Sequence, residues 1–339
     1  MEVSPGWTHA VFPLDEASRV GEARRHAAEL ARALDWDEDD AGRLALVVTE
    51  LGTNLLRHAS HGRLLIAARP ASADVEVIAI DDGPGIGDLS RAMQDGVSSG
   101  GTPGTGLGAV KRLANDFDMV SSVPQGTLCV ARVRHGRAAP AAQAQARVQV
   151  GAVCVAAPKE QQCGDGWATG VADGRALVLL ADGLGHGPEA AHASGAAVQV
   201  LAEHPAGDPR ELLQRCHVAL QTTRGAAVCI AAWDLDAATV QYAGAGNISG
   251  RIVSGVFDKS IATQHGTVGA QIRRPELASA AVPEHALLLL HSDGLETRWK
   301  PELIRPLLQR DPTLVAAALW RAHTRHRDDV AVIVLRRKD

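Results

Sequence analysis

Apolar residues recur at three- and four-residue intervals over the first part of the chain. Between Asp15 and Leu34 they fall at Ala17, Val20, Ala27, Leu30, Ala31 and Leu34, and between Asp39 and His58 at Leu44, Val47, Val48, Leu51 and Leu55. That period gives two amphipathic helices. Asp37 to Asp40 supplies the second with a carboxylate-rich start, favourable at the positive end of a helix dipole. The pattern then changes. Leu64 to Ala68 and Val75 to Ile80 are runs of strand length, Leu107 to Phe117 returns to helical spacing, and Pro124-Gln125-Gly126 is a turn between two closing strands. This order predicts an α+β sandwich with helices on one face of a mixed sheet.

After residue 147 strands dominate. Val148 to Val155, Leu177 to Ala181, Ala226 to Trp233, Thr239 to Ala243, Leu287 to His291 and Val330 to Leu335 are short and apolar, and the helical stretches Pro188 to Glu203, Arg210 to Gln221 and Pro312 to His323 interrupt them. Two strand-rich layers flanked by helices are expected. Between the halves, Gly136 to Arg147 (GRAAPAAQAQAR) lacks large apolar residues and reads as a linker. The expected division is a domain over 1–135, a linker over 136–147 and a second domain over 148–339.

With 339 residues and 46% hydrophobic content, the chain can bury two cores. A net charge of -5 argues against a nucleic-acid binder, which needs a basic stripe. The five cysteines, Cys129, Cys154, Cys163, Cys216 and Cys229, form no C-x-x-C, so a disulfide framework or structural zinc is not expected. The first residues lack the apolar core of a signal peptide, and no apolar run is long enough to span a bilayer. A cytoplasmic protein without a membrane partner is expected.

Candidate chemistry in the first half lies in three places. Glu50 and Asn54, four apart, project from one helix face, where a carboxylate could polarise a hydroxyl and an amide oxygen could hold Mg²⁺. Asp81 ends a strand and is followed by Gly83 and Gly85, which would let a base approach the backbone. Gly104, Gly106 and Gly108 precede a helix and could aim N–H groups at a polyphosphate. Each has an ordinary alternative as a surface residue or turn. The Gly/Ser/Thr-rich stretch 96–104 would suit a lid.

In that order these motifs resemble the GHKL (Bergerat) ATPase family. Ala92-Met93-Gln94-Asp95-Gly96, Gly104 to Gly108, Lys111-Arg112-Leu113 and Asp116-Phe117 resemble its RsbT-like switch-kinase branch. The resemblance covers nearly all of 8–135. It implies a Bergerat α/β sandwich that binds ATP and Mg²⁺. Glu50 would be the catalytic base, Asn54 the Mg²⁺ ligand, and Asp81, with Gly83 and Gly85, the adenine contact. Gly104, Gly106, Leu107 and Gly108 would form the phosphate loop, with Thr127 supporting the adenine end. The implied substrate is a Ser or Thr hydroxyl on a STAS-domain protein.

In the second half Asp165, Asp182, Asp293 and Asp328 flank apolar strands, and carboxylates from separate strand ends can converge on hard divalent ions. Asp-Gly pairs are also ordinary turns. Ala181-Asp182-Gly183-Leu184-Gly185-His186-Gly187, Tyr242-Ala243-Gly244-Ala245-Gly246-Asn247, Leu288 to Gly294 and Asp328-Asp329-Val330 resemble the metal-dependent PPM-type Ser/Thr phosphatases of the SpoIIE/RsbX branch. The resemblance spans about 148–336 and implies a β-sandwich flanked by helices. Asp182 would bridge two Mn²⁺ or Mg²⁺ ions, Gly183 would offer its carbonyl, Asp293 and Asp328 would complete the second site, and Asp165 would hold metal-bound water. Asp329 is not expected to be a ligand. His186 is a candidate acid, though its offset from Asp182 suits a loop residue better. Cys163 lacks the Cys-x5-Arg cradle of a thiol phosphatase.

The two resemblances together imply a bifunctional regulator that phosphorylates and dephosphorylates Ser or Thr on a STAS-domain partner or stressosome scaffold. The alternative is a phosphatase whose ATP-binding half is a non-catalytic module gripping a sigma factor or activating another phosphatase. A third reading makes that half an ATP sensor for the phosphatase.

Overall fold

The computed structural model describes residues 3–93, 106–136, 147–172 and 174–338. The chain folds as two units: one is His9–Ala144, and the other joins Met1–Thr8 to Gln145–Asp339. The beginning of the chain therefore belongs with the later unit, which corrects the expected boundary at residue 1. The physical reason is strand pairing: β1 (Val3–Pro5) extends a sheet of that unit, antiparallel to β8 (Asp165–Ala172).

In the unit formed by His9–Ala144, β2 (Ala10–Pro13) is followed by α1 (Ala17–Ala33), α2 (Glu38–His58), β3 (Arg63–Arg69), β4 (Asp74–Ile80), a single-turn α3 (Leu89–Ala92), α4 (Gly106–Leu113), β5 (Asp116–Ser122) and β6 (Gly126–Arg134). Asp37 caps α2 by accepting from the Asp40 amide at 2.8 Å, and Arg57 and His58 occupy its last turn, so both helix ends carry the charge the dipole favours. Leu44, Val47, Val48, Leu51 and Leu55 of α2 pack with Ala23, Ala27 and Ala31 of α1 against Leu64, Ile66, Val75, Val77 and Ala79 of the sheet. The small alanines let α1 lie close.

The sheet order is β2-β3-β4-β6-β5, and every pairing is antiparallel, not mixed as expected. Two helices between β2 and β3 return the chain in the reverse direction. The parallel pair β4 and β5 never touch, because β6 inserts between them. Leu107 to Phe117 is also corrected: the helix ends at Leu113, and Phe117 lies in β5 opposite Ala131.

The other unit is a sandwich. Its strands after β1 are β7 (Val148–Val155), β8, β9 (Arg175–Gly183), β10 (Ala226–Asp234), β11 (Thr239–Ala245), β12 (Ser249–Val253), β13 (Asp258–Ile261), a small ribbon of β14 (Gly266–Thr267) and β15 (Gln271–Ile272), β16 (Ala278–Ala281), β17 (Leu287–His291) and β18 (Val330–Arg337). One sheet runs β1-β8-β9-β10-β11-β16 and the other β13-β12-β17-β18-β7. Between them Val178, Leu180, Cys229 and Tyr242 meet Ile252, Leu288, Leu290 and Ile333. Leu177 and Leu179 point to the opposite face of β9, where they pack under α5 (Pro188–Glu203) and α6 (Pro209–Ala219). Alternate residues of β9 thus serve two cores, which is why it reads as a continuous apolar run. On the second sheet, α7 (Pro312–His323) packs against β7 and β18. Among the described residues no helix is long and apolar enough to cross a membrane.

Candidate active sites

Asp81 follows β4 directly and is buried, with its Oδ1 accepting from the Gly83 amide at 2.8 Å. Its own amide donates to the Thr127 carbonyl at 3.0 Å, which ties the end of β4 to β6. Gly126 has φ +86°, and a Cβ there would stand 2.4 Å from the Asp81 carbonyl oxygen, so a side chain is excluded on two counts. Thr127 Oγ1 lies 2.9 Å from Ser121 Oγ, and that hydroxyl also accepts from the Ile86 amide at 2.7 Å. The Asp-x-Gly-x-Gly loop is thereby fastened to the β5–β6 turn.

Glu50 and Asn54 lie half-buried on α2, flanking the buried Leu51 and Gly52, and α2 packs against α4. Gly106, Leu107 and Gly108 form the first turn of α4. Gly104 and the stretch 96–104 lie outside the described residues.

In the sandwich unit the four singled-out aspartates come together at the ends of β8, β9, β17 and β18. Asp165 and Asp182 are direct cross-strand partners. Asp165 is buried; its Oδ2 accepts from Ser292 Oγ at 2.6 Å, while its Oδ1 is buried with no partner. Burial above all, then Asp182, pushes its carboxyl well above the usual range. Burial, followed by Asp293, Asp328 and Asp329, pushes Asp182 up to about 7, with the Asp293 amide opposing the rise. Asp293 is raised by burial and by Asp328, and the Asn247 amide donates to its Oδ2 at 2.6 Å. Facing carboxylates with raised pKa values and an orphaned buried oxygen form a site short of positive charge, which suits divalent cations with oxygen ligands.

The Asp182-Gly183 and Asp293-Gly294 pairs have a packing cause. A Cβ on Gly183 would stand 2.1 Å from the Ala190 carbonyl oxygen of α5, and one on Gly294 would stand 1.9 Å from that of Asp329. Asp329 is buried, and its Oδ1 accepts from the Ala157 amide at 2.8 Å, which anchors the loop after β7.

Ser292, whose hydroxyl holds Asp165, and Asn247, whose amide holds Asp293, join this cluster; both stand inside motifs already quoted, and no periodicity marks them. His186 is exposed, with Nδ1 2.7 Å from Glu160 Oε1. The Cys163 thiol, 3.6 Å from that of Cys154, is pushed up by this hydrogen bond and then by burial, which opposes formation of a nucleophilic thiolate. Among the described residues the one trio of His, Cys or carboxylate ligand atoms within 4.8 Å of one another is Asp37, Asp40 and His135. Arg43 and the Gly136 amide already engage Asp40.

Fold and site define a histidine kinase-like ATPase domain followed by a PPM-type phosphatase domain. The family described as "Histidine kinase-like ATPase domain" matches residues 12–133, and "Stage II sporulation protein E (SpoIIE)" matches 172–338. The serine/threonine-protein kinase RsbT of Bacillus subtilis is 35% identical over 107 residues, 31% of this chain and 80% of RsbT. Through its ATPase domain the chain belongs to the RsbT family, here fused to a SpoIIE domain. A structure from work on the bacterial stressosome, described as a modular system adapted to control secondary-messenger signalling, is 29% identical with a TM-score of 0.52, covering 56% of this chain and 99% of that one. RsbX in complex with magnesium shares the fold at 21% identity and a TM-score of 0.50, covering 56% of this chain and 96% of its own.

Proposed function

We propose that this protein is a two-way switch, phosphorylating Ser or Thr on a STAS-domain partner with its ATPase domain and removing phosphate with its SpoIIE domain. The observation that carries the reading is the convergence of Asp165, Asp182, Asp293 and Asp328 on one end of the sandwich, in a chain whose other unit is RsbT-like.

In the ATPase domain, Asp81 would accept from the adenine amino group, with Thr127 fixing that end and Gly83 and Gly85 admitting the base. Asn54 would hold Mg²⁺, and the Gly106-Leu107-Gly108 end of α4, with Gly104, would donate to the phosphates. Glu50 would take the proton from the incoming hydroxyl. In the phosphatase domain Asp182, the Gly183 carbonyl, Asp293 and Asp328 would hold two Mn²⁺ or Mg²⁺ ions. Bound there, the ions would neutralise phosphate charge and activate water. Asp165 Oδ1, buried and free to accept, would orient that water, with Ser292 fixing the carboxylate. A stressosome scaffold, a sigma factor or another phosphatase are the partner classes suited to such a switch in the cytoplasm.

The test is intact mass of a STAS-domain protein from the same genome, incubated with Asp182→Asn protein and Mg-ATP. A phosphorylated product erased by wild-type protein with Mn²⁺ is expected. ATP binding and partner capture with no added phosphate would instead make the first domain a binding module.

A further inference from the structure

The segment before the ATPase unit completes the phosphatase sheet. In the pairing of β1 with β8, Val3 stands opposite Gly170, Ser4 opposite Thr169 and Pro5 opposite Ala168. Contact continues beyond the strand. The Gly6 amide donates to the Trp167 carbonyl at 2.7 Å, and Trp167 Nε1 donates to the Trp7 carbonyl at 3.3 Å. The two indoles meet edge to face with centroids 4.5 Å apart. A Cβ at Gly6 would stand 2.3 Å from the Trp167 ring, so the segment lies this close only because position 6 has no side chain.

Two routes lead from this segment to Asp165. One is β8 itself, since Trp167 is two residues from Asp165 on the same strand. The other is a chain of side chains: Thr8 Oγ1 lies 3.8 Å from Cys154 Sγ, which lies 3.6 Å from Cys163 Sγ. A cavity of about 190 Å³ brings the two together, its lining shared by Pro5, Gly6 and Thr8 of the segment and Cys163, Asp165 and Ser194. Neither family match reaches residues 3–8, Cys154, Cys163, Asp165 or Trp167, since the ATPase match covers 12–133 and the SpoIIE match begins at 172.

We propose that residues 3–8 are a positioning strap for the phosphatase centre, holding β8 so that Asp165 stays opposite Asp182. This rests on the reading of Asp165 as a residue of that centre. Without the strap β8 is the edge strand of its sheet, and edge strands open at low local cost. Trp167 would lose its indole partner and water would enter beside Asp165. The strap ends at Thr8, and the ATPase unit begins at the next residue, so the two share a continuous backbone.

The test uses the full-length protein, a phosphoserine peptide and a Mn²⁺ titration, with hydrogen exchange of the β8 amides and ATP binding read in parallel. Gly6→Ala wedges the strap off the Trp167 ring, Trp7→Ala removes the edge-to-face ring, Trp7→Phe restores an aromatic, and Asp165→Asn is the reference. The expected result is faster β8 exchange in Gly6→Ala and Trp7→Ala. The Mn²⁺ needed for half-maximal activity should rise about 10- to 100-fold, the range for groups that orient a metal site. ATP binding should be unchanged, and Trp7→Phe should be close to wild type. Fast exchange with wild-type Mn²⁺ dependence would make the segment merely structural. Unchanged exchange in both variants would show that it does not hold β8, and either result overturns the proposal. Full activity in Asp165→Asn would instead remove the site reading on which the strap depends.

Discussion

Ser292 Oγ donates to Asp165 Oδ2 at 2.6 Å and accepts from the Ala331 amide at 2.9 Å, so one hydroxyl joins the ends of β8, β17 and β18. Both Ser292 and Asp165 are buried, and no water can replace the bond cheaply. Ser292→Ala should cost about 1–3 kcal/mol, the penalty for leaving buried hydrogen-bonding partners unsatisfied. Denaturant unfolding measures that loss, and a Mn²⁺ titration of phosphatase activity should show a raised metal requirement. Wild-type values in both assays would mean that Ser292 does not position Asp165.

Asp182 is expected to trade stability for chemistry. Its charge is opposed by burial and by Asp293, Asp328 and Asp329. Asp182→Asn should abolish phosphoserine hydrolysis and yet raise the melting temperature in chelator, by about 2–4 °C per kcal/mol of repulsion removed. The extra stability that Mn²⁺ gives the wild type should disappear. A variant that melts lower in chelator would show that repulsion does not govern this site.

As the proposed catalytic base, Glu50 should separate nucleotide binding from phosphotransfer. It stands one turn before Asn54 on a helix whose core contacts come from Leu44, Val47, Val48, Leu51 and Leu55. Glu50→Ala should leave the fold and ATP affinity intact while lowering phosphotransfer to a STAS-domain protein about 10²- to 10⁴-fold, the usual contribution of a general base. Calorimetry with ATP and intact mass of the acceptor decide it. Undiminished transfer would exclude Glu50 as the base.

Glu76 anchors a buried charge cluster on the sheet face turned away from the helices. Its Oε2 accepts from Arg132 Nε at 2.7 Å and Arg69 Nη1 at 3.2 Å, and its Oε1 lies 3.2 Å from His9 Nε2. Burial opposes the charge, but Arg132, His9 and Arg69 outweigh it and hold the carboxyl well below its ordinary value of 4.5. A depressed folded pKa gives stability that is complete above the unfolded value and is lost as pH falls below it toward the folded one. Glu76→Gln should therefore destabilise the ATPase domain by about 3–5 kcal/mol at neutral pH, the cost of breaking a buried pair. The gap should narrow as pH drops below about 4. Urea unfolding at several pH values checks both parts, and a gap independent of pH would contradict them.

The amphipathic helices were legible because periodicity is local. The stripe Leu44, Val47, Val48, Leu51 and Leu55 is buried against the sheet as its spacing requires, and Asp37 caps the helix as its residue type suggests. Phe117 shows the limit. An apolar residue continuing a helical pattern was drawn instead into β5 by cross-strand pairing with Ala131, which only the neighbouring strand supplies. The Asp182-Gly183 and Asp293-Gly294 motifs were visible, but the reason for each glycine was not. Gly183 faces α5 and Gly294 faces the Asp329 backbone, both contacts between segments distant in sequence.

From the residues alone came the α+β class and the identity of the acids that flank apolar strands, because each depends on short-range pattern, while the two families in one chain came from the resemblance of the quoted motifs to known ones. Tertiary packing settled the antiparallel order of the ATPase sheet, the return of residues 3–8 to the phosphatase sheet and the part played by Ser292. Val3–Pro5 is too short to announce a strand, and it becomes one only when the open edge of β8, more than 160 positions away, supplies its hydrogen bonds.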